Sequence, residues 1–372
     1  MASETGLCGK GEIIFLANPN SPHVRHWESI LKHADRTVSV ISAHGAESIV
    51  SSPVFDFFPA CFKRFPLTIR YVMLGFYIRL FINKNDISFV HAHNTSGYGL
   101  SAFISGLPYI VTTYGSEIFN ASTRGVIYRY MLRVILRRAR LITSTSSKMT
   151  ETLVCNFGVP KSKVCQFSLG VSDVFYCDED ARLKFRGLWR GGEPIWVANR
   201  RIHPHYHTVE LVDAFIRFRK VVNRGVLILL EGDSHLEYLE EVKNLCKGYD
   251  FIRLIKGFIS QDELRGYLSA ADFAISVPES DQLSSSILES AICGAVPLLS
   301  NLDSYIQVRK FSILFDILNK NDPDSYVNIF FYSYKLYMSN DYSSFRGDML
   351  AYVKKFSVGA VLPEVEKIYT FK

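Results

Sequence analysis

PESDQLSSSILESAICGAVP, residues 278–297, sets Asp281 and Glu289 with seven residues between them, Ser284, Ser285 and Ser286 inside the gap. A short apolar helix is predicted to run on from the serines to Gly294. Upstream, AADFAISV (270–277) is a continuous apolar run with the character of a buried parallel strand. The segment is therefore strand, polar loop, helix. In an open α/β sheet that loop lies at the carboxyl end of a strand, where ligands bind. Serine N–H groups at a helix start suit an anion, and two carboxylates accept hydrogen bonds from hydroxyls. Phosphate together with sugar hydroxyls is the chemistry of a nucleotide sugar. Glu289 has a local alternative, because Ser286 and Glu289 also fit a capping box.

The rest of the chain repeats this alternation. Strands are predicted at 12–18, 37–44, 86–94 and 108–115, with a first helix from about Trp27, and 141–172 adds a strand, a helix and a strand. The second half restarts at Pro194 and alternates again through 209–258. Such alternation favours two parallel, doubly wound sheets. The charged, glycine-containing stretch 173–194 is the expected linker between a domain over 1–172 and one over 195–352, with a tail over 353–372. No G-x-G-x-x-G follows the first strand, which removes the dinucleotide fingerprint.

At 372 residues and 48% hydrophobic content the chain suits two ordinary domains. No apolar run is long and uncharged enough to span a bilayer, and the N-terminus lacks a signal-peptide pattern. The seven cysteines (Cys8, Cys61, Cys155, Cys165, Cys177, Cys246 and Cys293) are scattered and odd in number. They predict reduced thiols in a cytoplasmic protein, with neither a disulfide framework nor a zinc site.

Other constellations lie at strand ends. In ANRRIHPHYHT (198–208), Arg200 and Arg201 follow a strand, and His203, His205 and His207 alternate on a loop. That alternation, without an interleaved carboxylate, is not a metal-ligand pattern, and no metal is expected. The D-x-D strings at Asp178–Asp180 and Asp322–Asp324 read as solvated surface. VHAHN (90–94) ends a strand and puts His91 or His93 at a crevice. In YGSEIF (114–119), Gly115 and Ser116 would let backbone approach a ligand. Glu117 there is either a hydrogen-bond acceptor for a substrate hydroxyl or a solvated loop acid.

Two segments mix cations with apolar and aromatic residues. Residues 61–84 interleave Lys63, Arg64, Arg70, Arg79 and Lys84 with rings. Residues 124–140 place Arg129, Arg133, Arg137 and Arg140 on one helical stripe, with Ile127, Met131, Val134 and Ile135 on other faces. Peripheral contact with an anionic membrane is the reading for the first segment, and a domain helix with a solvated basic side for the second. No recognised nucleic-acid-binding motif accompanies them.

The 278–297 block, with the loop at 198–208, resembles the donor site of the retaining glycosyltransferases of family 4, which have the GT-B fold. The resemblance implies two Rossmann-like domains facing a cleft and a C-terminal helix returning to the first domain. It implies a metal-independent transfer of a hexose-type sugar from a nucleoside diphosphate sugar to a hydroxyl of a glycan or lipid-linked oligosaccharide. By the same resemblance Arg200 and Arg201 serve the diphosphate and Glu289 the ribose. Asp281 stands where the family usually has Glu, and contacts the sugar; Tyr206 stands where it usually has Lys. Ser284, Ser285 and Ser286 then contribute backbone to the phosphate, and Lys256, Gly257 and Phe258 lie near the base. His93 matches a histidine near the reacting carbon. The first loop, NPNSPHVRHW (18–27), is similar to that of members that build bacterial surface polysaccharides such as lipopolysaccharide. There Ser21, His23 and Trp27 match, while His26 takes the place expected for Arg, which has moved to Arg25. With Gly115, Ser116 and Glu117 this loop would line the acceptor side. A GT-B nucleotide-sugar epimerase and a non-catalytic subunit of the same fold are the alternatives.

Overall fold

The computed structural model describes residues 12–45, 48–56, 62–81, 89–189, 193–232, 234–281, 283–317 and 324–370. Two compact units divide the chain. The first contains the residues up to Leu169 and those from Val358 onward, and the second contains Gly170–Ser357.

In the first unit β1 (Ile13–Leu16), α1 (Pro22–His33), β2 (Val38–Ile41), β3 (Val54–Phe55) and α2 (Leu67–Phe81) come first. Next are β4 (Val90–His93), α3 (Tyr98–Ser105), β5 (Tyr109–Thr112), α4 (Ser116–Phe119) and α5 (Val126–Arg138). β6 (Leu141–Ser144), α6 (Ser147–Phe157) and β7 (Val164–Gln166) complete the run. The strands form one parallel sheet in the order β3-β2-β1-β4-β5-β6-β7. Along β1, alternate side chains enter different cores, as the strand period of two requires. Ile14 and Leu16 join Leu74, Tyr98 and Leu132 from α2, α3 and α5. Ile13 and Phe15 face the other way, against Trp27 and Ile30 of α1. Helix α1 begins at Pro22, earlier than the expected start near Trp27, because Ser21 is extended and Pro22 occupies the first helical position.

The second unit holds α7 (Glu179–Arg186), β8 (Ile195–Ala198), α8 (Thr208–Val222), β9 (Val226–Leu230), α9 (Leu236–Cys246) and β10 (Ile252–Ile255). α10 (Gln261–Ala270), β11 (Phe273–Ser276), α11 (Ser285–Ile292), β12 (Val296–Ser300) and β13 (Ile313–Phe315) follow. α12 (Ser325–Tyr337) and α13 (Asp341–Val353) close the unit. Its sheet is again parallel, in the order β10-β9-β8-β11-β12-β13. Trp196 is fully buried on β8 among Phe215, Phe218, Phe273 and Phe330, and its indole N–H donates to Ser333 Oγ at 2.9 Å. The final helix, α14 (Val358–Tyr369), belongs to the first unit, where Val365 and Ile368 share the core of Trp27.

The stretch 173–194 differs from the linker expected there: it contains α7, which packs on α10 within the second unit. Its charges have buried work. Asp272 is fully buried and pairs with Arg182 (3.1 Å) and Arg186 (2.5 Å), while accepting from the Ile195 N–H (2.9 Å) and the Tyr342 hydroxyl (3.2 Å). Asp178, read from sequence as solvated, caps α7 by accepting from Ala181 N at 2.9 Å and pairs with Arg265 at 3.3 Å. Asp322 lies outside the described residues.

Candidate functional site

Both sheets reverse their strand order once, between β1 and β4 and between β8 and β11. The carboxyl ends of those four strands are the ligand positions of an open parallel sheet. Within each unit several of the sequence candidates follow these strands, whereas Gly115–Glu117 follow β5 and Lys256–Phe258 follow β10.

In the second unit, Arg200 leaves the end of β8 and the loop holding Asp281 leaves β11. The two side chains form an ion pair at 3.1 Å, Arg200 being 13% exposed and Asp281 18%. Arg200 Nη1 donates to Ser286 Oγ (2.9 Å) and Nη2 to the Tyr206 hydroxyl (2.7 Å). Its guanidinium also lies 4.5 Å from the Tyr206 ring centroid. Tyr206 therefore supplies no second cation; it holds the first one. Arg201 is exposed and stands outside this network.

The loop after β8 is stitched to the loop after β11. His205 Nε2 meets the Ser280 carbonyl at 2.6 Å, and Glu279 N donates to the His205 carbonyl at 3.3 Å. His203 Nδ1 accepts from His205 N, and His207 faces Glu210 at 3.7 Å and Glu279 at 3.9 Å. Each of the three histidines thus has a local structural contact. Among the described residues no group of three His, Cys, Asp or Glu side chains is arranged to hold a metal ion.

Helix α11 starts with Ser284 as N-cap, its Oγ accepting from Ser286 N at 3.3 Å. The capping box starting at Ser286 is therefore not formed, and Glu289 lies beyond the first turn. Burial pushes its carboxyl up to about 7, against a hydrogen bond from Ser285 and the charge of Arg200. Asn199, absent from the candidate set, donates to the Ser286 carbonyl (3.0 Å) and Ser290 Oγ (2.9 Å), fixing α11 against the β8 loop. Tyr305 is a second addition. It is fully buried, and its hydroxyl donates to Asp281 Oδ2 at 2.8 Å. Asn199 adjoins Arg200 in sequence and was legible as a strand-end amide, whereas Tyr305 lies 24 residues from Asp281.

Lys256, Gly257 and Phe258 follow β10, at the sheet edge and two strands from β8. Gly257 has φ +72°, a conformation that favours glycine, and its N–H donates to Glu231 Oε2 at 3.1 Å. Phe258 is 83% exposed.

In the first unit, His91 and His93 are both buried on β4. Both nitrogens of His91 are engaged, by Tyr369 (2.6 Å) and Thr112 (2.7 Å), and burial pushes its pKa down to about 3. His93 Nδ1 meets the Tyr114 hydroxyl at 2.7 Å, whereas Nε2 has no hydrogen-bond partner among the described residues. Burial, aided by His91 and His23, holds His93 well below its ordinary pKa, so it is a neutral imidazole. His23 is exposed at the start of α1 and stacks on Tyr114 with centroids 4.8 Å apart. Ser21 is the N-cap of α1, and its side chain makes no capping bond. Gly115 is buried with φ +88°. Ser116 begins α4, and its side chain is outside the described residues.

Glu117 is buried and not a solvated loop acid. Its buried carboxyl group accepts from Thr95 N (2.7 Å), Ser96 N (2.9 Å) and Ser96 Oγ (3.1 Å), so it ties α4 to the turn after β4.

In the basic segments, the arginine side of α5 is solvated as expected, and one apolar residue departs from its reading. Along α5, Leu132, Ile135 and Leu136 are buried, but Ile127, expected on an apolar domain face, is 88% exposed beside exposed Val126 and Tyr130. Arg129, Arg133 and Arg137 are exposed on the same helix. On α2, Tyr71, Leu74 and Ile78 are buried, while Ile69, Phe76 and Leu80 face solvent. Lys84 lies outside the described residues. No helix among the described residues is long and apolar enough to cross a membrane.

Residues 12–146 match the family model described as glycosyl transferase 4-like. No curated protein sequence matches the chain. Among solved structures it resembles HepE of Anabaena in complex with UDP and glucose, at 13% identity and a TM-score of 0.72, covering 96% of this chain and 99% of that one. A glycosyltransferase of Rickettsia africae is similar at 15% identity and a TM-score of 0.75, covering 97% and 98%. Sucrose-phosphate synthase of Thermosynechococcus elongatus gives the same identity, TM-score and coverage. The fold is GT-B, with two Rossmann-like parallel-sheet units.

Proposed function

We propose that this chain is a retaining glycosyltransferase that moves a hexose-type sugar from a nucleoside diphosphate sugar to an acceptor hydroxyl without a metal. The observation that carries the reading is the convergence of Arg200, the amino end of α11 and Glu289 at the β8/β11 strand ends of one unit. A guanidinium and helix N–H groups meet a diphosphate, and a carboxyl group beyond them accepts from ribose hydroxyls. As the glycosidic bond breaks, charge grows on the departing diphosphate. Fixed donors stabilise that charge, and the diphosphate itself takes the acceptor proton. Asp281 contacts the sugar, and His93, held neutral by burial, is the first-unit histidine that this reading assigns to the acceptor side. HepE was solved with UDP and with UDP-glucose, which supports a uridine donor here.

The acceptor in this reading is a lipid-linked oligosaccharide at the cytoplasmic membrane face. Support comes from the exposed Val126, Ile127 and Tyr130 among arginines on α5, an apolar tip with cations suited to lipid headgroups. Flotation with vesicles of mixed phosphatidylglycerol and phosphatidylcholine should show binding that Ile127→Glu weakens. Equal binding by the variant removes the α5 docking.

Thermal shift against UDP, GDP, CDP and their sugars, with and without EDTA, tests the donor reading. One nucleotide should stabilise the protein, and EDTA should leave that shift unchanged. No shift with any nucleotide favours a non-catalytic subunit. That alternative draws on Arg200 being paired with Asp281 and on Tyr206 in place of a cation. Consumption of the donor without acceptor would instead indicate an epimerase.

A further inference from the structure

Arg200 is the cation that the donor reading needs, and in this structure it already has an anion. Asp281 Oδ2 lies 3.1 Å from its Nη2, and both side chains are largely buried, where such a pair is strong. The same carboxylate oxygen accepts from Tyr305 at 2.8 Å. Tyr305 comes from a separate element, the 3-10 segment Asp303–Val308 beyond β12. Its ring is fully buried in the core of the second unit, so the position of its hydroxyl is set by packing. Burial, with Asp281 adding, keeps that hydroxyl protonated far above its ordinary range, which makes it a permanent donor.

We propose that Asp281 is a built-in counter-ion occupying Arg200 where a donor phosphate binds, and that Tyr305 is the positioning residue setting how readily Asp281 releases it. This rests on the donor site assigned above. A largely buried carboxylate stripped of its cation is costly unless another donor satisfies it. Tyr305 is that donor: it keeps Asp281 satisfied while Arg200 turns to the phosphate. Without the hydroxyl, Asp281 loses a donor, leans more on Arg200 and competes harder with the incoming diphosphate. Ser286 and Tyr206 hold the guanidinium from its other sides and keep it at the site throughout.

Isothermal titration of this chain with UDP, GDP and CDP tests this, because none of these probes carries a sugar for Asp281 to contact. Asp281→Asn should tighten the nucleotide that binds by about fivefold or more, and Tyr305→Phe should weaken it by about threefold or more. In the Asp281→Asn background, Tyr305→Phe should change affinity by less than about twofold, since Tyr305 acts through Asp281. A Tyr305→Phe effect that persists in that background overturns the proposal, as does weaker binding by Asp281→Asn. If Tyr305→Phe fails to fold, the sign of the Asp281→Asn effect decides alone. A wild-type chain that binds none of the three nucleotides overturns the donor-site reading itself, whereas wild-type binding insensitive to both substitutions overturns only this inference.

Discussion

Glu289 sits where burial and charge oppose each other. Its carboxyl is raised from 4.5 to about 7 by desolvation, so the folded chain binds this proton more tightly than the unfolded one. The stabilising contribution is complete below about pH 4.5 and is lost as pH rises through about 7. Between those limits wild type should lose about 2 kcal/mol relative to Glu289→Gln, discounted for partial exposure, in urea melts across the range. The ionised form, which accepts from ribose hydroxyls in the proposed reaction, fills over the same window. Nucleotide affinity should therefore rise with pH in wild type and stay flat in the variant. The spacing of Asp281 and Glu289 was legible because strand, loop and helix are local signals. The choice of cap was not, since Ser284, Ser285 and Ser286 offer three chemically identical candidates and only the helix start at Ser285 selects among them. Arg200 and Arg201 pose the same difficulty: neighbours on a loop point in different directions, and the course of the backbone decides which one enters the site.

At the scale of elements, Glu117 shows how a strand-end acid can be consumed by structure. It joins α4 to the turn after β4, the turn that carries Thr95 and Ser96 just beyond His93. Glu117→Gln should cost about 1–3 kcal/mol and raise hydrogen exchange at the Thr95 and Ser96 amides before other first-unit amides respond. Unchanged exchange at those two amides would remove the tie. The sequence reading placed Glu117 at a strand end but left open what it faced, because its partners lie more than 20 residues away. The helical stripe of α5 was likewise legible from its period. The exposure of Ile127 was not, because periodicity assigns a face but does not say where neighbouring elements stop covering it.

At the scale of the whole molecule, Asp272 joins parts of the second unit that are far apart in sequence: α7, the start of β8 and α13 all meet at its carboxylate. Removing one partner of a buried charge cluster leaves the others unpaired. Asp272→Ala should therefore cost about 3–5 kcal/mol, read in calorimetry as an earlier transition for the second unit alone. A single unchanged transition would show that the cluster is not integral to that unit. Charge density made 173–194 look like a linker, yet Arg182 and Arg186 face a buried acid supplied some 90 residues later. The sequence by itself determined the alternation, the two parallel sheets and the strand-end position of Arg200, Asp281, Glu289 and His93. These follow from short-range periodicity and from where loops emerge from strands. Only the tertiary structure decided that Asp281 neutralises Arg200, that Tyr305 holds Asp281, that Tyr206 braces rather than replaces a cation, and that Glu117 is a tie. Those are contacts between side chains from separate loops, and their partners are set by strand order and packing, which no local pattern encodes.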